Sequence, residues 1–110
     1  MPTKAPPPPD TTPGKGDPGA DVKDRVEKPR NIKVLLYNDD YTTMEFVIWV
    51  LVEVFRKSQV EAARIMLTVH RSGKGVAGIY SKEIAETKAA AAMGHATAAG
   101  YPLLVETEPE

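Results

Sequence analysis

The chain has 110 residues, no cysteine and a formal net charge of −1 from 14 basic and 15 acidic side chains. That balance leaves no surplus of cations to neutralise phosphates, which argues against nucleic-acid binding, and the lack of thiols excludes disulfides and thiolate-held metals. No run approaches the ~20 apolar residues of a membrane span and the first residues lack the apolar stretch of a signal peptide, so a cytoplasmic protein with no membrane partner is expected.

Residues 1–29 hold eight of the ten prolines, Pro6 to Pro9 among them, and almost no large apolar side chain. Such a segment buries too little surface to offset the entropy of ordering, which predicts a disordered N-terminal extension followed by one domain over 30–110. A domain of this size has little stability to spare for a large internal cavity, so a shallow surface pocket is expected. Ile32 to Tyr37 is rich in branched residues and too short for a lone helix, which predicts a strand. Thr42 and Glu45 have capping-box spacing, so a helix is expected to start close to Thr42 and run to Phe55, with Met44, Val47, Ile48, Leu51 and Phe55 on one face and most of its circumference covered. Ser58 and Glu61 repeat the spacing ahead of a second, mostly buried helix. Glycines 73, 75 and 78 end it and flank a strand around Val76 to Tyr80; Ser81 then offers a cap for an alanine-rich third helix that stops at Gly100. A last strand over Leu103 to Thr107 completes the order β-α-α-β-α-β. The fold class is therefore α/β (α+β): a three-stranded antiparallel sheet with helices packed on one face.

Chemistry concentrates in two places. Asn38, Asp39 and Asp40 form a polar ledge between the first strand and first helix, and His70 closes the second helix. Read alone, the ledge suits a metal, a proton transfer or a cap. Met44 and Val47 follow the ledge, while Met66 and Val69 precede the histidine on its own helix face. If the two helices pack side by side, they enclose an apolar hole rimmed by Asn38, Asp39, Asp40, Thr42 and His70. A peptide N-terminus with a bulky first side chain fits such a hole: its protonated amine brings three donors, and the ledge and a neutral imidazole bring acceptors.

These blocks, together with Gly78-Ile79-Tyr80, Glu83 to Lys88 and Pro102-Leu103, resemble the ClpS family of adaptors over about Lys33 to Val105. The resemblance implies a protein that performs no chemistry and needs no cofactor. It implies binding of substrates that begin with Leu, Phe, Tyr or Trp and their transfer to the ClpA-type AAA+ unfoldase of the ClpAP protease. Position by position, it gives Asn38, Asp39 and His70 the α-amine, and Asp40, Thr42, Met44, Val47, Met66, Val69 and Leu103 the wall or rim of the side-chain pocket. Met44 matches a gate against β-branched first residues. Glu83 and Lys88 match contacts with the unfoldase's N-terminal domain, and the proline-rich tail matches an extension engaged during delivery.

Thr43 departs from the family, which usually has proline there, and Trp49 lies off the apolar face of the first helix. A hydrolase built on Asp39 or Asp40 with His70 is the rival from another class; it lacks a cysteine nucleophile, a nucleophile-elbow serine and an oxyanion loop. A zinc site lacks ligand spacing, and an EF-hand lacks its central glycine and distal acid. A second alternative keeps the fold but does not read N-termini.

Overall fold

The computed structural model describes residues 30–110, so the extension expected over 1–29 lies outside the described residues. In chain order the elements are β1 (Ile32–Tyr37), α1 (Met44–Glu53), α2 (Gln59–Ser72), β2 (Lys74–Tyr80), α3 (Lys82–Ala99) and β3 (Leu104–Pro109). This is the expected order. β1 is central and pairs antiparallel with β2 on one side and β3 on the other. Val34 faces Gly78 and Leu35 faces Val76, so Ala77 is an extra residue that bulges β2 and changes its facing midway.

Alternation along β1 sends Val34 and Leu36 to the helical side, where they join Ala77 and Val105 of the flanking strands and Val50, Leu51 and Phe55 from α1 and its end. All three helices contribute buried residues to this single core. Leu35 is buried yet belongs to the other side, between its cross-strand partners Val76 and Glu106. On α3, Ala85, Ala89, Ala92 and Ala96 recur every three to four residues and are buried, because their small side chains let the helix approach the sheet closely. Gly100 ends it at φ +83°, with the Tyr101 N–H returning to the Ala96 carbonyl at 2.8 Å.

Two expectations about the helices are corrected. α1 stops at Glu53, short of Phe55, because the chain turns out at Arg56, whose φ is +60°, while the Lys57 N–H bonds back to the Leu51 carbonyl at 3.0 Å. α2 is amphipathic, not mostly buried: Ala62, Met66 and Val69 face inward, while Val60 and Leu67 are exposed. It packs chiefly on α1 and β2, and its outer side faces solvent. Among the described residues no helix is long and apolar enough to cross a membrane.

Lys88 ties α3 to α1. Its ammonium donates to the Val54 carbonyl at 2.7 Å, where α1 has run out of backbone donors, and lies 5.4 Å from the centre of the Tyr80 ring. A cation at this end also complements the helix dipole.

Candidate functional site

The turn after β1 is organised by Asp39. Its Oδ1 accepts the N–H groups of Tyr41 at 2.8 Å and Thr42 at 2.7 Å, and its Oδ2 accepts the Thr42 hydroxyl at 2.8 Å. An aspartate that bonds backbone two and three residues ahead closes a turn by itself. Burial pushes the Asp39 carboxyl up, but the bonds from the Thr42 N–H and hydroxyl and from the Tyr41 N–H outweigh it and hold the group below its ordinary value. A carboxylate has about four acceptor positions, so one remains open on Oδ2.

Thr42 is held by Asp39 one residue outside the cap position and does not cap the helix. The cap is Thr43, whose hydroxyl accepts the Phe46 N–H at 3.1 Å. The residue that departs from the family pattern thus supplies a capping bond that proline lacks. Met44 is then the first helical residue, and its side chain lies at the lip of the turn.

The second half of the site arrives through the strand pairing. Tyr37 faces Lys74, and the Asn38 N–H extends the ladder by donating to the Gly73 carbonyl at 2.9 Å. Gly73 is the C-cap of α2, at φ +90°, and its own N–H bonds to the Val69 carbonyl at 2.9 Å. A left-handed residue at this place reverses the chain from helix into strand, which is why glycine stands here. One short run of bonds therefore places Asn38 beside the helix turn that carries His70.

Between the halves is an open cavity of about 410 Å³, lined by Asn38, Asp39, Asp40, Thr42, Met44, Val47, Met66, Val69 and His70, together with Tyr41 and Thr43. Val47, Met66 and Val69 are buried and form its apolar floor, whereas Met44 is 44% exposed at the mouth. Tyr41 and Thr43 were not anticipated; they line the cavity because the Asp39 turn curls them round it, and no periodicity signals that. Leu103 is the exception among the expected pocket residues. It is buried in the same core cluster as Val47, Met66 and Val69 and is not among the residues that line the open cavity.

Glu83 is exposed in the first turn of α3, available to a partner. Lys88 is half-buried and bonded to Val54, so it is not part of a freely solvated polar face. Trp49 packs against Phe46, with ring centres 5.8 Å apart, and meets the edge of His95 at 5.0 Å; this aromatic surface lies on the side of α1 away from Met44 and Val47. Among the described residues no group of three or more histidines and carboxylates is placed to share a metal ion.

Comparison with known proteins agrees with this architecture. A family model described as "ATP-dependent Clp protease adaptor protein ClpS" matches residues 27–106. The ATP-dependent Clp protease adapter protein ClpS of Desulfatibacillum aliphaticivorans is 55% identical over 95 residues, covering 86% of this chain and 91% of that protein. Its counterpart in Deinococcus radiodurans is 50% identical over 101 residues, covering 86% and 89%. A solved structure of Agrobacterium tumefaciens ClpS2 bound to L-phenylalaninamide superposes with a TM-score of 0.73 at 48% identity, covering 76% of this chain and all of that one. With the fold, the family model and relatives of nearly the same length in agreement, the chain belongs to the ClpS family of Clp protease adaptor proteins.

Proposed function

We propose that this protein binds the free α-amine and bulky hydrophobic first residue, Leu, Phe, Tyr or Trp, of proteins marked for degradation and delivers them to a ClpA-type unfoldase without catalysing a reaction itself. The observation that carries the reading is the junction of one polar rim and one apolar floor in a single cavity: Asn38, Asp39 and His70 beside Val47, Met66 and Val69. L-phenylalaninamide, the ligand of the Agrobacterium relative, has that same pair of features, an amine next to an apolar side chain.

The roles follow from the chemistry. Asp39 offers its open Oδ2 position as a charged acceptor, Asn38 its carbonyl oxygen and His70 a ring nitrogen. Asp40, which carries no hydrogen bond to its side chain among the described residues, adds a second negative charge at the rim. Burying an aromatic side chain of about 150–250 Å² contributes roughly 4–6 kcal/mol, comparable with the cost of association, so the amine contacts must supply the net affinity. Met44, an unbranched side chain exposed at the mouth, adjusts to flat or γ-branched guests and obstructs β-branched ones. Glu83 and Lys88 are assigned to the unfoldase contact, with Glu83 supplying the exposed charge. The extension over 1–29 is assigned to delivery.

Fluorescence anisotropy with peptides that differ only in the first residue tests this. Phe-first and Leu-first peptides are expected to bind with Kd of about 1 µM or tighter. Acetylating the amine, or Asp39→Ala, should weaken binding at least tenfold. Equal affinity for the acetylated peptide would remove the reading and favour an interaction domain of the same fold that ignores N-termini.

A further inference from the structure

Gly75, a β2 residue that does not line the cavity, stands directly behind one of its walls. It pairs with Leu36 in the sheet and is buried under the last turns of α2. A β-carbon added at this position would lie 2.9 Å from Cγ2 of Val69, and 3.6 Å from both the Thr68 methyl and the Ile65 carbonyl oxygen. Carbon atoms in contact prefer about 3.5–4.0 Å, so Val69 could not stay where it is. Val69 itself is 3% exposed and lines the cavity. We infer that Gly75 determines the size of the first-residue pocket, its missing side chain being the space into which Val69 withdraws.

Two routes are open to a methyl group at position 75, and both alter the cavity. A valine in a helix has one strongly preferred rotamer, so turning Cγ2 away is resisted. The valine must therefore advance from the strand, or the end of α2 must lift and carry Met66 and His70 with it. Large planar first residues need the full cross-section and suffer first. Leucine, smaller and flexible, suffers less. The inference rests on the proposed reading of the cavity as a first-residue pocket and makes Gly75 a specificity-determining residue that never touches the ligand.

The test measures anisotropy with Trp-, Phe- and Leu-first peptides and their acetylated forms for the full chain and for Gly75→Ala, Val69→Ala and the double variant. Overpacking by one methyl predicts a loss of about tenfold for Trp and Phe with Gly75→Ala and less than about threefold for Leu. Adding Val69→Ala should restore the aromatic peptides to within about twofold of Val69→Ala alone. Unchanged affinities in Gly75→Ala, or equal losses for all three peptides, would overturn the inference while the wild-type preference for a free amine stands. Indifference of the wild type to acetylation would instead overturn the reading of the site. If Gly75→Ala does not fold, the double variant decides: it must fold and match Val69→Ala, and a larger gap between them refutes the role of Gly75.

Discussion

Replacing Thr42 by valine removes one bond from the turn that builds the site and keeps the side chain's shape. The lost contact is the 2.8 Å donation from the hydroxyl to Asp39 Oδ2. Bonds to charged acceptors contribute about 1.5–3 kcal/mol when buried, but this pair is only half-buried, so about 1 kcal/mol is expected. For a domain of this size that lowers Tm by roughly 4–8 °C. The pH dependence identifies the cause. Asp39 is held below its ordinary carboxyl value in the fold, so its contribution is complete above the unfolded value near 3.9 and drains away as pH falls through the lower, folded one. The gap between wild type and Thr42→Val, followed by circular dichroism from pH 8 to pH 3, should therefore be widest near neutrality and close below about pH 4. Thr42→Ser keeps the hydroxyl and should stay within about 2 °C of wild type at neutral pH. A gap of the same size at pH 7 and pH 3 would show that packing, and not the Asp39 bond, is responsible.

Lys88→Met should cost about 1–2 kcal/mol by orphaning the Val54 carbonyl and losing the Tyr80 ring contact, yet leave peptide affinity within about twofold, since the cavity lies at the other end of α1. An unchanged Tm would refute the structural role of Lys88. Arg56→Gly should raise stability by about 0.5–1 kcal/mol, because a left-handed φ of +60° strains any side chain and glycine's extra unfolded entropy offsets only part of the relief; chemical denaturation showing no gain would count against it. Gly73→Ala should lower stability by about 1 kcal/mol or more and weaken Phe-first peptides several-fold, since its carbonyl accepts the Asn38 N–H; a loss of stability with peptide affinity intact would detach the helix cap from the site.

The order of elements was legible because each carries a local cause: branched residues in β1, Ser58 and Ser81 at the N-caps of α2 and α3, of which only Ser58 makes a side-chain capping bond, Gly73 and Gly100 behind them, and alanines spaced for one face of α3. The two halves of the site were legible as well, since Met44 with Val47 and Met66 with Val69 repeat on helix faces next to polar residues. Thr42 and Thr43 show where local reading stops. Both precede a helix and either could cap it, but the Asp39 turn holds Thr42 one residue outside the cap position and leaves the cap to Thr43, a matter of where the turn ends that spacing does not encode. Leu103 joins the same buried cluster as Val47, Met66 and Val69 on the approach to β3, a contact that its place in the sequence does not reveal. Nothing near Lys88 in the sequence points to its acceptor, but α3 passes the end of α1 and brings the Val54 carbonyl within its reach. The sequence by itself determined the elements, their order and the residue types of both rims, because those depend on neighbours within a few positions along the chain. Only the tertiary structure decided which partner each hydroxyl and ammonium meets and that Gly75 lies behind Val69, because those partners come from other elements or from the path of a turn, where packing sets the outcome.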